Sequence, residues 1–180
     1  MEIVFSRLQK RRISRNCCSL LLCFYYEDER PLNRLAGIID WKVDCFLSRL
    51  IKDKKLYGNE GEIILFASEE RFGSMPILIC GLGKKRFFSL TTIKNVTDSL
   101  VRRIYDMNIK DFGFSLPDLS STNISWLDGF NAFIDSFSKC ENIEKIYLFE
   151  EKDKELFFRG NINDSFKRRF YFSSESEEEK

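Results

Sequence analysis

"PILICGLGKKRFF", residues 76–88, runs from Pro76 through the unbroken apolar stretch Ile77-Leu78-Ile79-Cys80 into Gly81-Leu82-Gly83, and then into Lys84, Lys85 and Arg86. A continuous apolar run, lacking the polar alternation of a strand with one wet face, predicts a strand covered on both sides. The glycines that follow have two readings. A phosphate-binding loop needs several glycines, so that successive backbone N–H groups converge on the anion, followed by Lys-Ser/Thr at the start of a helix. This stretch has two glycines, Lys84 is followed by Lys85, and Arg86 stands where a dinucleotide fingerprint needs its third glycine. It is expected to be a glycine turn ending a buried strand.

Runs of the same kind recur at residues 2–6, 19–26, 62–67, 111–116 and 144–150. Helical spacing lies between them. Leu35, Ile38, Ile39, Val43, Phe46, Leu47, Leu50 and Ile51 recur at three- and four-residue steps, with Pro31 suited to the first turn. Ile93, Val96, Leu100, Val101 and Ile104 make a second helix, and Leu127, Phe130, Phe133, Ile134 and Phe137 a third, with Ser125 and Asp128 spaced as a capping box. The order β-β-α-β-β-α-β-α-β predicts a three-layer α/β domain over residues 1–150, with a mixed sheet of about six strands flanked by helices, because hairpin-like and crossover connections cannot all be parallel. Residues 151–172 read as either a terminal helix or an edge hairpin. Residues 173–180, SSESEEEK, read as an acidic disordered tail.

The composition, 43% hydrophobic and 32% charged in 180 residues, suits one soluble domain with a real core, and Phe is heavily used at 18 residues. The tail carries −3 of a net +1, so the rest carries +4, which is too mild to signal nucleic acid by itself. His is absent, which removes the commonest general base and metal ligand. Cys17, Cys18, Cys23, Cys45, Cys80 and Cys140 show no C-x-x-C pair or zinc spacing and are expected to be reduced, buried small hydrophobes in the cytoplasm. KRRISRN before CCSLLLCFYY imitates a signal peptide, but the run is too short to span a bilayer, no small-x-small cleavage site follows, and Leu22 precedes Cys23 where a lipoprotein signal needs a small residue. No membrane association is expected.

Five short motifs occur in order: Asp28-Glu29-Arg30-Pro31-Leu32; Ala36-Gly37 with Asp40-Trp41; Leu47 to Ile51; Gly61-Glu62; and Gly81 to Lys84 with Gly83 between. Together they resemble the N-terminal domain of the leucyl aminopeptidase family of metallopeptidases (M17). The resemblance covers roughly residues 1–150. It implies a macro-domain-like fold in which these motifs, the GLGK turn included, belong to the scaffold. It also implies that the family's two metal ions and catalytic residues, among them an N-T-D-A-E-G-R motif, lie in a larger C-terminal domain. No such motif occurs in these residues, so no catalytic residue, metal or cofactor is expected. ADP-ribose binding is not implied either, for neither an Asn-Ala pair in a suitable loop nor a Gly-rich phosphate loop is found.

Glu27, Asp28 and Glu29 are expected to favour the following helix N-terminus; alone they lack the convergent ligands a hard cation requires. Some members of the family bind DNA. Basic clusters occur at residues 10–12 with Arg15, at 84–86, at Arg102-Arg103 and at 167–169, but scattered solvated charge predicts weak or no nucleic-acid binding. At 100° per residue, Trp41 lies opposite the Leu35–Leu50 face, flanked by Gly37, Cys45 and Ser48. This second stripe is either covered within the chain or forms an interface. The expectation is a free-standing, non-catalytic, cytoplasmic relative of the aminopeptidase N-terminal domain, acting as a homo-oligomer or with a separate protein partner. The competing reading is a macro-like module for a ligand or nucleic acid.

Overall fold

The computed structural model describes residues 1–9, 13, 17–67, 69–161 and 170–172. Strands β1 (Glu2–Arg7), β2 (Leu21–Tyr25), β3 (Ile63–Phe66), β4 (Ile77–Gly81), β5 (Asp111–Phe114), β6 (Lys145–Glu150) and β7 (Phe170–Phe172) form one sheet in the order β3-β4-β2-β5-β6-β1-β7. Every neighbouring pair is parallel except β3 with β4. The mixed sheet is thus as expected for its first six strands, and β7 adds a further edge beside β1.

Helices α1 (Arg34–Lys42), α2 (Phe46–Lys52), α3 (Glu69–Phe72), α4 (Leu90–Asp106), α5 (Trp126–Phe137) and α6 (Lys152–Asn161) complete the chain order. Every residue of β2 and of β4 is buried, as their unbroken apolar runs require. Alternate side chains of β2 divide the core between the faces. Leu22 and Phe24 join Ile93, Val96 and Leu100 of α4 and Phe130, Phe133 and Phe137 of α5. Leu21, Cys23 and Tyr25 join Leu35 and Ile39 of α1 and Leu47 of α2. The Phe-rich composition fills the first face, where Phe24 and Phe133 lie 5.0 Å apart and Phe112 meets Phe137 edge-on at 4.9 Å. Ser89 caps α4 by accepting from the Thr92 N–H. Ser125 accepts from the Asp128 N–H at 3.1 Å and donates its hydroxyl to the Asp128 carboxylate at 2.6 Å, closing the expected capping interaction.

Three expectations change. The single helix after Pro31 is two helices, for the chain leaves α1 at Val43 and passes through Asp44 and Cys45 in the left-handed region, at φ 54° and 59°. The cause is local: the buried Asp40 carboxylate accepts from the Ser48 N–H at 3.0 Å and from its hydroxyl at 2.5 Å, which fixes the start of α2 across the break. Pro31 is therefore not in a helical first turn but ahead of Asn33, the α1 N-cap. The segment after residue 150 contains a helix and a parallel edge strand rather than one or the other. The cysteines are not uniformly buried: Cys45 is exposed in the link between α1 and α2, and Cys17 is half-buried.

Among the described residues, no helix is long and apolar enough to cross a membrane. The basic clusters at 10–12 with Arg15 and at 167–169, and the acidic tail, lie outside the described residues.

Candidate functional site

Open α/β sheets take ligands in the crevice beyond the carboxyl ends of the strands, at the point where the strand order reverses. Here that point is between β2 and β5, since the chain moves outward from β2 to β4 on one side while β5, β6 and β1 lie on the other. The loops after β2 and β5 and the start of α6 enclose a crevice of about 650 Å³, lined by Asn33, Arg34, Asp118, Ser120, Trp126 and Lys154, among others.

Its floor is an ion pair. Arg34 Nη2 meets Glu150 Oε2 at 2.5 Å, Arg34 Nε donates to the Leu116 carbonyl at 2.8 Å, and both nitrogens reach the Ser115 hydroxyl at 3.2–3.3 Å. The Leu116 N–H donates to the other oxygen of Glu150 at 3.0 Å. The Glu150 side chain is 0% exposed and that of Arg34 17%. Burial raises the Glu150 carboxyl above its ordinary range, opposed chiefly by the Arg34 charge and its hydrogen bond. Arg34 also opens α1 at φ +51°, a conformation that costs a non-glycine residue on the order of 1–2 kcal/mol and persists only where its surroundings hold it. Four contacts from the loop after β5 and from β6 do so. At the rim, Lys85 donates to Asp118 at 2.6 Å; burial pushes Asp118 up, but hydrogen bonds from Lys85 and Ser120 outweigh it and hold the carboxyl below its usual range.

The crevice is therefore tied across its floor, with its charged groups committed to one another. Among the described residues, no group of three or more Cys, Asp and Glu is arranged to hold a metal ion.

The motif residues lie beside the crevice and lock three loops together. Asp28 accepts from the Lys85 N–H at 2.9 Å, Asn33 donates to Glu29 at 3.2 Å, and Arg30 donates to the Tyr26 carbonyl at 3.3 Å. Asp28 and Glu29 thus serve separate loop contacts. Pro31 leads to Leu32, which is buried together with Ala36. A Cβ on Gly37 would stand 2.5 Å from the Leu32 carbonyl oxygen. Glu62 accepts from the Gly58 N–H at 2.5 Å and from the Tyr57 N–H at 3.0 Å, and takes the Tyr25 hydroxyl at 3.2 Å. Gly61 and Gly83 adopt φ +78° and +72°, where glycine costs least, while Gly81 exchanges backbone hydrogen bonds with Gly61 and Glu62 at 3.0 and 2.8 Å. Lys84 lies 3.6 Å from Glu27. No phosphate-directed row of N–H groups results, because these N–H groups are engaged by the neighbouring loop.

The stripe expected from Gly37, Trp41, Cys45 and Ser48 is not one helical face, since the chain breaks between Trp41 and Cys45 and Ser48 turns to Asp40. Trp41 is nonetheless 59% exposed. It borders a hollow with Lys42, Asp44 and Arg71; the last two form an exposed ion pair at 2.6 Å and also border a second hollow with Phe46 and Phe66.

Arg34 and Glu150 went unnoticed in the sequence. They stand 116 positions apart, and no spacing rule links them; a charged residue directly after the apolar residues 146–149 was the one available signal.

Residues 21–133 match the model of the cytosol aminopeptidase family, N-terminal domain. A probable cytosol aminopeptidase of Buchnera aphidicola subsp. Baizongia pistaciae is 29% identical over 104 residues, covering 58% of this chain and 21% of that protein. The chain spans about a fifth of the length of the curated relatives it matches. Among solved structures, a tomato leucine aminopeptidase mutant superposes with a TM-score of 0.59 at 13% identity, over 83% of this chain and 32% of that one. The macro domain of ganglioside induced differentiation associated protein 2 gives 0.66 at 12% identity, over 88% and 81%. At such identities the structural likeness establishes the macro-domain-like fold alone.

Proposed function

The chain belongs to the cytosol aminopeptidase family, whose N-terminal domain its residues match, and on that premise we propose that it works by associating with another protein chain in the cytoplasm, not by chemistry of its own. The observation that carries this reading is Trp41, 59% exposed on a helix whose opposite side already holds it to the sheet through Leu35 and Ile39. A helix needs only one apolar face for that purpose. A large aromatic that borders one hollow with an exposed ion pair, Asp44 with Arg71, has the make-up of an interface anchor beside a polar rim. The partner is a second copy of the chain or a separate subunit. The tied floor of the crevice supports this choice over a ligand-binding module. Of the described basic clusters, Lys84 and Lys85 already face carboxylates, which supports weak or no nucleic-acid binding.

Sedimentation velocity of the wild-type chain and of Trp41→Ala, with the partner recovered from the native cell where the chain alone is monomeric, tests the reading. Loss of the anchor should weaken association by about 2 kcal/mol or more, roughly 30-fold, and leave thermal unfolding unchanged. A folded Trp41→Ala chain with unaltered self-association and partner binding refutes it. So does a variant whose main defect is lost stability.

A further inference from the structure

At the end of the sheet opposite the crevice, three sulfur atoms converge. β2 and β4 pair in parallel with Leu21 opposite Ile77, and the Leu21 N–H donates to the Pro76 carbonyl at 3.0 Å. This pairing draws the residues that precede both strands together, Cys17 and Cys18 from one and Met75 from the other. Cys17 Sγ lies 3.8 Å from Cys18 Sγ and 3.8 Å from Met75 Sδ, and Cys18 Sγ lies 3.7 Å from Met75 Sδ. The triangle is almost equilateral, and its centre is about 2.2 Å from each corner, close to the ~2.3 Å of a metal–thiolate bond.

We propose that Cys17, Cys18 and Met75 form a three-sulfur site for a soft monovalent metal ion, Cu(I). Two thiolates and a thioether are the ligand set that selects Cu(I), whereas structural zinc takes four ligands in a tetrahedron and makes no use of a thioether. The carboxylate that borders the same hollow is already engaged: Asp111 accepts from the Ser19 N–H at 2.8 Å and from its hydroxyl at 2.5 Å, which favours sulfur coordination over oxygen. Room for the sulfur is built into β5, where a Cβ on Gly113 would come within 3.1 Å of Cys18 Sγ. An entry path exists as well, through a hollow of about 500 Å³ bordered by Cys17, Cys18, Ser19, Ser74, Met75, Asp111 and Tyr147.

In the metal-free chain the hydrogen bond with Cys17, together with burial, raises the Cys18 thiol, and Cys18 donates to the Leu20 carbonyl at 3.1 Å. Binding replaces these protons. Each cysteine releases one to solvent, and Cu⁺ with two thiolates and the neutral thioether leaves a single negative charge at the site.

The test is an anaerobic titration of the full chain with Cu(I) against a chromophoric Cu(I) chelator, with copper K-edge absorption on the loaded protein. One Cu(I) per chain is expected, with sulfur-only neighbours at about 2.3 Å. Loss of an outer-shell partner alone costs ~10–100-fold in metal affinity, so Cys17→Ser and Met75→Leu should each cost at least about 100-fold. Cys45→Ser and Cys140→Ser should cost nothing. Met75→Leu conserves volume and Cys17 is half-buried, so circular dichroism should find both variants folded; if either unfolds, the wild-type copper edge decides alone. Failure to hold Cu(I) against the chelator, nitrogen or oxygen scatterers in its shell, unchanged affinity in folded Cys17→Ser and Met75→Leu, or preference for Zn²⁺ would each overturn the assignment.

Discussion

Replacing Arg34 by Met is expected to expose how much of the fold rests on the crevice floor. The change leaves Glu150 buried, 0% exposed, with the Leu116 N–H still donating at 3.0 Å but the guanidinium gone. Breaking a buried pair by removing one partner costs roughly 3–5 kcal/mol. Arg34 is 17% exposed, so water reaches the vacated position and the lower figure, about 3 kcal/mol, applies. Met inherits the left-handed backbone, so no strain is relieved. In a chain of this size that loss lowers Tm by about 6–12 °C. The effect must also depend on pH. Burial raises Glu150 above its unfolded value even with Arg34 present. A carboxyl with a raised folded pKa keeps its proton longer in the native state, so stability falls as pH climbs from the unfolded value through the folded one. Without Arg34 the folded value moves higher still. The deficit relative to wild type should thus be smallest in acid, where Glu150 is protonated in both chains, and should grow as pH rises. Urea unfolding by circular dichroism at acidic and neutral pH measures it. Adding Glu150→Gln to Arg34→Met should restore part of the loss, because a neutral amide still accepts from Leu116. A deficit that does not vary with pH, or a double variant less stable than Arg34→Met, would refute the reasoning.

Gly81→Ala should cost about 2–3 kcal/mol, the scale of overpacking, because its Cβ would stand 2.4 Å from the Asn59 carbonyl oxygen and 2.6 Å from the Gly58 carbonyl carbon, backbone atoms that cannot swing aside. Gly61→Ala, which meets nothing within 4 Å and suffers only from its φ of +78°, should cost about 1 kcal/mol; chemical denaturation showing the reverse order would exclude close loop packing as the role of Gly81. Asp40→Ala should lose about 1–2 kcal/mol by releasing the Ser48 N–H and hydroxyl, with hydrogen exchange faster in α2 than in α4; uniform acceleration across both helices would place the loss elsewhere.

Local patterns carry the layers of this fold. The unbroken apolar runs at Ile77–Cys80 and Leu20–Tyr26 could be satisfied only by strands covered on both faces, and the spacing from Ile93 to Ile104 only by a helix with one apolar side. The capping pair Ser125 and Asp128 was legible for the same reason: its partners lie three residues apart. The ordered motifs from Asp28 to Lys84 pointed to the family. Contacts between distant residues were not legible, because periodicity carries no information about them. The left-handed link at Asp44 and Cys45 took Ser48 off the face assigned to it and gave Trp41 the company of Asp44 and Arg71, which comes from α3. The pairing of Arg34 with Glu150 depends on β2, β5 and β6 lying side by side, and the convergence of Cys17, Cys18 and Met75 on β2 lying beside β4. Burial pattern in the sequence determined which segments became strands and helices; strand order, a property of the whole chain's packing, decided which side chains met at their ends.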